Sequence, residues 1–225
     1  MYRKLVAAHA NGCSMLLRKN GDGVEFLGTA FLADGKGYLL TCAHTIQLDM
    51  QLAIVPTQPI NEWNNMTQER VNTIDVEVAQ FDTVHDCALL KLKGDVTANI
   101  MPNMFGDPNK TPAGASVLYF GYPFGDKGLH TLKASSSIIS SKAINSNGTK
   151  HFQLDSMVHD GNSGGPLVDV HTGQIIGMIC GKFNPSGNSG GVMIGNYALG
   201  SESSISYATS IEYGINLMKE EGLNV

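Results

Sequence analysis

The segment Asp160–Leu167, with the sequence DGNSGGPL, is the stretch around which the chain is organised. Its three glycines and one asparagine bracket Ser163, so the backbone can turn tightly through φ values that most side chains exclude. Such a turn exposes the serine hydroxyl and lets the amides of Gly161 and Ser163 point the same way. Two convergent N–H groups beside a hydroxyl suit acyl transfer, because negative charge develops on the carbonyl oxygen under attack. The composition is equally typical of a surface turn, so the segment alone leaves both interpretations open.

The composition favours a strand-rich chain and argues against nucleic-acid binding. The 225 residues suffice for one large domain or two small ones, and 42% of them are hydrophobic, which is enough for a core. Glycine contributes 26 residues, above its usual share, whereas only 16% of residues are charged. The net charge is −5 and the 15 lysines and arginines form no basic run, so we expect no nucleic-acid partner.

The N-terminal residues do not have the pattern of a signal peptide. The apolar run Leu5–Ala8 is shorter than the roughly 7 to 15 residues of a signal sequence. No apolar run approaches the roughly 18 residues of a membrane-spanning helix, so we expect no membrane span. We therefore predict a cytoplasmic protein, and leave open a leaderless export or a chain that begins after a removed leader.

Short strand-like segments, separated by turn residues, fill most of the chain. Six precede residue 95, and about six more lie within 115–208. Residues 96–114 are rich in Pro, Asn and Gly and are interpreted as a linker, and 209–222 is predicted to be a terminal helix. The pattern predicts an all-β fold, in which two six-stranded antiparallel β-barrels (1–95 and 115–208) enclose a cleft and a C-terminal helix follows.

A site in that cleft should draw residues from both barrels. His44 ends the apolar strand 38–43, and Asp86 opens the strand 87–92. Taken singly, a histidine or an aspartate at a strand end is more often structural. The order His, Asp, Ser, with each residue at a strand boundary, is nevertheless one of the known orders of a catalytic triad. We therefore predict that His44 and Asp86 activate Ser163 as a nucleophile, with the backbone of Gly161, Asn162 and Ser163 forming an oxyanion hole and no metal or cofactor required.

Four segments, which together span nearly the whole chain, resemble the trypsin-like, chymotrypsin-fold serine peptidases: Gly28–Leu32, Leu40–His44, His85–Leu90 and Gly161–Leu167. Asn162, with Gly121–Gly125 and Ile205–Thr209, is most similar to the HtrA/Deg branch. The resemblance implies a single trypsin-like peptidase domain over 1–225 that acts as a serine endopeptidase on protein or peptide substrates. The chain after Ser163 is too short for a PDZ module, so none is expected.

By the same resemblance, the four cysteines do not lie at the family's disulfide positions, which adds to the prediction of a reducing, cytoplasmic compartment. Three of them, Cys42, Cys87 and Cys180, are implied to lie near the triad. They are either small core hydrophobes or a redox-sensitive or metal-binding spot. Cys180 is also expected to be a weaker hydrogen-bond donor toward Asp86 than the serine that the family places on this strand.

The resemblance further implies which residues bind the substrate: Met157, Val158, Cys180, Gly181, Lys182 and Ile205. None is a carboxylate, so we expect a modest apolar side chain before the scissile bond rather than Arg or Lys, and Lys182 leaves an acidic one open. The strand 180–183 is expected to pair with extended substrate backbone. The alternative function is a latent or chaperone-like peptide-binding protein on a peptidase scaffold. The sequence indicates no oligomeric state.

Overall fold

The computed structural model of the chain describes residues 1–21, 23–94, 96–182, 193–194, 197–198 and 205–225. Twelve of its strands form two closed six-stranded β-barrels, in which all strand pairs are antiparallel, and the predicted fold class is confirmed. Helix α1 (Tyr2–His9) precedes the barrels and helix α2 (Glu212–Glu220) follows them. Within the described ranges, no helix has the length and apolar character needed to cross a lipid bilayer.

Six strands close the first barrel in the order β1, β2, β3, β6, β5, β4. They are β1 (Cys13–Asn20), β2 (Gly23–Asp34), β3 (Tyr38–Thr41), β4 (Leu52–Pro56), β5 (Ile74–Asp82) and β6 (Cys87–Leu92). The second barrel has the order β7, β8, β9, β14, β11, β10. Its strands are β7 (Ser116–Gly121), β8 (Lys133–Ile144), β9 (Lys150–Asp155), β10 (Pro166–Asp169), β11 (Ile175–Lys182) and β14 (Ile205–Ser210). Two short strands, β12 (Met193–Ile194) and β13 (Tyr197–Ala198), pair with each other.

Strands β3 and β6 each carry two consecutive leucines because both of their faces are buried at these positions. Leu39 and Leu90 belong to the core of the first barrel, whereas their neighbours Leu40 and Leu89 belong to a second apolar cluster. That cluster also contains Phe120 of the second barrel, so it forms the interface between the barrels. Because successive strand side chains point to opposite faces, a strand buried on both faces shows a continuous apolar run. His44 follows the end of β3 by three residues and Asp86 directly precedes β6, so the burial of these strands gives the predicted site a rigid support.

The C-terminal helix is shorter than predicted. It occupies Glu212–Glu220 rather than 209–222, because Thr209 and Ser210 continue strand β14 by pairing with Met178 and Gly177 of β11. Pairing within the sheet therefore outweighs the local capping pattern around Thr209. The linker 96–114, which the structure describes completely, contains no helix or strand, and Phe105 forms an isolated bridge to Ile175.

Candidate active site

His44 lies at the cleft, in a short 3₁₀ turn (Ala43–Thr45) that follows strand β3. Its Nδ1 atom donates to Asp86 Oδ2 at 2.7 Å, and its backbone amide donates to Asp86 Oδ1 at 2.8 Å. A carboxylate accepts hydrogen bonds and does not donate them, so the neutral imidazole carries its proton on Nδ1. The two bonds fix both the orientation and the tautomer of the ring, which leaves the Nε2 lone pair to act as a base.

Asp86 has a left-handed backbone conformation, with φ of 55°. This region is uncommon for residues other than glycine, and such strain of about 1–3 kcal/mol is found preferentially at functional sites. Hydrogen bonds hold the turn that precedes Asp86: Asp82 Oδ1 accepts from the amides of Val84 and His85 at 2.9 and 3.1 Å. The ring of His85 stacks on Tyr213 of α2, with centroids 4.0 Å apart. The C-terminal helix therefore supports the loop that carries Asp86.

Ser163 lies in a turn that only glycines can form. Gly161 and Gly164 have φ of 94° and 87°. A Cβ atom on Gly161 would lie 2.2 Å from the carbonyl oxygen of Tyr122, and one on Gly164 would lie 2.0 Å from that of Thr29. Both distances are far below van der Waals contact. The glycines allow the serine turn of the second barrel to lie directly against strand β2 of the first.

Hydrogen bonds to two successive carbonyls set the orientation of the peptides around Gly161. Phe124 N donates to Asp160 O at 2.8 Å, and the hydroxyl of Thr29 donates to Gly161 O at 2.7 Å. In a trans peptide the N–H points opposite to the C=O. Because Asp160 O points toward Phe124, the N–H of Gly161 points away from it.

The next peptide has the same kind of constraint. Gly165 N donates to Asn162 O at 3.0 Å, so the N–H of Ser163 is directed to the other side. Within the described residues, neither the amide of Gly161 nor that of Ser163 has a hydrogen-bond partner. Two unpaired amides that flank a serine hydroxyl are the donors that an oxyanion hole requires.

The hydroxyl of Ser163 is not bonded to His44 in this structure. Its hydrogen bond is a long one, at 3.5 Å, to the carbonyl oxygen of Cys180. No Ser163–His44 hydrogen bond occurs in the part of the chain described here. In the absence of substrate such contacts are often long or misaligned, and they tighten when the substrate binds.

The three cysteines predicted near the triad have different surroundings. Cys42 is fully buried and donates to the carbonyl oxygen of Ile179 at 3.1 Å, which joins the two barrels. Cys180 donates to Tyr207 O at 3.3 Å, and burial raises the pKa of its thiol to about 12. Burial likewise raises the pKa of Cys42 and of Cys87. The thiol of Cys180 therefore donates to a backbone carbonyl, and the hydrogen bonds of Asp86 in the described part of the chain are to His44.

The residues predicted to bind substrate are divided between the cleft and the barrel core. Met157 and Ile205 are exposed, at 37% and 43%, whereas Val158 is 2% exposed and packs in the core of the second barrel. Gly181 lies at a β-bulge of β11 with φ of 153°. The backbone of Lys182 pairs with Ser206, but its side chain and the predicted strand end Phe183 lie outside the described residues.

Sequence reasoning missed residues that hold the site from behind. Thr29 was noted only as part of a similar segment, yet its hydroxyl is fully buried and also accepts from Tyr122 N at 3.2 Å. Ser206 is equally buried, and its hydroxyl donates to Ser156 O at 2.7 Å and accepts from Val158 N at 2.9 Å. Buried hydroxyls in strands leave no distinctive pattern in the sequence, because their partners are distant along the chain.

The chain is similar in sequence to known peptidase domains. Residues 28–178 match the profile of the trypsin-like peptidase domain. A probable periplasmic DegP-like serine endoprotease of Brucella suis is 29% identical over 168 residues, covering 73% of this chain and 29% of the relative. The chloroplastic protease Do-like 1 of Arabidopsis thaliana is 31% identical over 169 residues, covering 73% of this chain and 35% of the relative.

Among solved structures, the HtrA-type protease AlgW with a decapeptide superposes with a TM-score of 0.73 at 21% identity, covering 98% of this chain and 67% of that one. A serine endoprotease from Yersinia pestis has a TM-score of 0.68, also at 21% identity, and covers 98% and 66%. These structures share the fold of the two barrels. The chain spans about a third of the length of the curated relatives that it matches.

The cytoplasmic location predicted from the sequence is wrong, because the names of the relatives place them in the periplasm and the chloroplast. The prediction rested partly on unpaired cysteines. Three of the four thiols are buried and the fourth is half-buried. A buried thiol whose pKa is raised reacts slowly whatever the redox state of its surroundings, so free cysteines of this kind do not indicate a compartment.

Proposed function

Since the chain belongs to the trypsin-like peptidase domain family, we propose that it is a serine endopeptidase that hydrolyses peptide bonds through Ser163, His44 and Asp86. The observation that carries the proposal is the paired contact of Asp86 with His44, at 2.7 and 2.8 Å, beside a serine turn with two unpaired amides. Base, orienting carboxylate and oxyanion donors come from three separate segments. If the serine turn had only a structural role, there would be no reason for a base, a carboxylate and unpaired amides to lie together beside it.

In the proposed reaction, His44 Nε2 accepts the proton of Ser163 as the hydroxyl attacks the substrate carbonyl. Asp86 stabilises the imidazolium that forms. The amides of Gly161 and Ser163 bind the oxyanion, and the backbone of Asn162 connects these two residues in the oxyanion hole. His44 then protonates the leaving amine, which leaves an acyl group on Ser163. Water, activated by the same histidine, releases the acyl group and regenerates the enzyme.

For the substrate, we propose an apolar residue before the scissile bond, held by Met157 and Ile205 with the buried Val158 as the floor of the pocket. The backbone of Cys180, Gly181 and Lys182 pairs with the extended peptide. The six side chains include no carboxylate to attract Arg or Lys. A cavity of about 340 Å³ lies beside this strand and is lined by residues including Ile144, Asn145, His151, Gln153 and Tyr207. Burial lowers the pKa of His151 and thereby favours its neutral form. The cavity thus suits a second, uncharged substrate side chain.

A fluorophosphonate probe tests the nucleophile directly. We expect one label per chain on the wild type, none on Ser163→Ala, and much slower labelling of His44→Ala, each analysed by intact mass. Heat-denatured wild-type protein is the control for nonspecific reaction. A folded wild type that does not label would refute the peptidase proposal and favour the peptide-binding alternative.

Peptide libraries that vary only the residue before the scissile bond test the substrate preference. We expect Val, Ala or Leu to be cleaved faster than Arg or Lys, by roughly tenfold or more, because burying an uncompensated charge in an apolar pocket costs more than 1 kcal/mol. Equal cleavage of basic and apolar peptides would contradict the assignment of the pocket.

A further inference from the structure

Cys42 places a thiol next to the predicted catalytic pair. One ligand atom each from Cys42, His44 and Asp86 lies within 4.8 Å of the others. The histidine and the aspartate face each other through Nδ1 and Oδ2 at 2.7 Å, and the thiol donates to Ile179 O at 3.1 Å. The reaction proposed above uses the histidine and the aspartate but gives the sulfur no role.

The three donors match the chemistry of a thiophilic divalent cation. Zn²⁺ binds thiolate, imidazole and carboxylate, and sites with three protein ligands keep a fourth position for water. Bond lengths of about 2.0–2.3 Å in a tetrahedral site place neighbouring donors about 3.3–3.6 Å apart. From the present arrangement, the pair His44–Asp86 needs to open by about 0.6–0.9 Å and the sulfur to approach by about 1.5 Å at most.

We propose that Cys42, His44 and Asp86 form an inhibitory binding site for Zn²⁺ or a similar soft cation. Binding transfers the thiol proton of Cys42 to solvent, and the thiolate and carboxylate neutralise the two positive charges of the ion. The neutral complex suits a site in which Cys42 is fully buried, because no net charge is left without compensation.

The bound cation prevents His44 from acting as a base and does not contact Ser163. When Nδ1 of His44 coordinates the metal, the ring proton moves to Nε2. That nitrogen then donates a hydrogen bond and no longer accepts one, so it cannot take the proton of Ser163. The inhibitory consequence rests on the proposed peptidase function, whereas the binding itself does not.

The other cysteines do not offer an equivalent site within the described residues. Cys180 lies 3.9 Å from His151 Nδ1, but no third ligand atom joins this pair. Cys13 is a fully buried thiol that donates to the carbonyl oxygen of His9 at 3.6 Å. Cys13 is therefore a matched control for Cys42: both thiols are buried and donate to a backbone carbonyl, but Cys13 belongs to no such group of ligands.

Binding is measured first in the Ser163→Ala background, so that it is independent of catalysis. Calorimetry with Zn²⁺ should give one site per chain, and titration with Co²⁺ should give a thiolate-to-cobalt charge-transfer absorption. Cys42→Ser retains a donor for Ile179 O but not the thiolate. It should abolish the absorption and weaken Zn²⁺ binding by well over tenfold, since even changes outside the ligand shell cost about 10–100-fold. Cys13→Ser should bind as the parent does.

Inhibition is measured next, as the rate of fluorophosphonate labelling of chains that retain Ser163. Zn²⁺ should slow labelling of the wild type and of Cys13→Ser, with recovery after chelation, and should have little effect on Cys42→Ser. Absent binding, or binding that Cys42→Ser leaves unchanged, overturns the proposal. Binding that depends on Cys42 in a chain that never labels supports the metal site and refutes the peptidase. Cys42-dependent binding that leaves labelling unaffected overturns the inhibitory role.

Discussion

Replacing Thr29 with valine should disable the oxyanion hole without touching any catalytic side chain. The substitution retains the shape of the side chain but removes a fully buried hydroxyl that donates to Gly161 O at 2.7 Å and accepts from Tyr122 N at 3.2 Å. Two buried backbone groups lose their partner, at a cost of about 1–3 kcal/mol each. We therefore expect the free energy of unfolding to fall by about 2–6 kcal/mol, measured by urea denaturation.

The effect on activity follows from the orientation of the peptide. Once Gly161 O is released, the peptide between Gly161 and Asn162 can rotate. This peptide lies between the two that carry the amides of Gly161 and Ser163, so these amides spend less time directed at the oxyanion. Loss of one donor outright costs about 10²–10³ in kcat, so partial loss should lower kcat by about 10- to 100-fold. KM should change little, because the oxyanion exists only in the transition state and the tetrahedral intermediate. The assay is cleavage of a fluorogenic peptide, together with the rate of fluorophosphonate labelling.

Two variants separate the oxyanion effect from a loss of stability. Thr29→Ser retains the hydroxyl and should keep most of the activity. Thr111→Val removes another buried hydroxyl, which donates to Asp169 at 3.3 Å in the linker region, and should lower stability while leaving kcat near the wild-type value. If Thr29→Val loses stability but keeps its kcat, or if Thr29→Ser is as damaging as valine, the argument from Thr29 is refuted.

Three further predictions follow from backbone geometry and burial. Gly164→Ala should destabilise the fold by more than about 3 kcal/mol and abolish labelling, because its Cβ would lie 2.0 Å from the carbonyl oxygen of Thr29; a stable, labelled variant in a thermal melt would contradict this. Burial lowers the pKa of His9, whose Nε2 lies 2.9 Å from Gly173 O. In the unfolded chain the pKa of this histidine is about 6.5, so near and below that pH the unfolded state binds more protons than the folded state. The free energy of unfolding should consequently fall by up to about 1.4 kcal/mol per pH unit below that value, and urea denaturation at pH 7.5 and 5.5 should show a smaller fall for His9→Gln. Burial raises the pKa of the Cys180 thiol to about 12, so iodoacetamide should modify it at pH 8 many times more slowly in the native than in the denatured chain; equal rates by mass spectrometry would show that the thiol is accessible.

Local sequence patterns determined the fold class and identified the candidate residues of the site. Short strand-like segments, separated by turns, predicted two six-stranded barrels, and these are confirmed. The pattern succeeds because strand burial and turn formation depend on residues close together in the chain. The interaction of His44 with Asp86 followed from the order and strand-end positions of the residues, and their hydrogen bonds agree with it. The catalytic roles themselves remain predictions.

Only the tertiary structure decided how the site is held. The hydroxyl of Thr29 and the amide of Phe124 orient the serine turn from positions far from it in sequence, and the segments that contain them did not predict these hydrogen bonds. The left-handed backbone of Asp86 and the hydrogen bond of the Cys180 thiol to Tyr207 O likewise form only in the folded chain. Helix α2 begins three residues later than its capping pattern predicted, because pairing of Thr209 in the sheet outweighs a local cap. Local chemistry thus determined which groups are present, and long-range hydrogen bonds and burial determined where their atoms point.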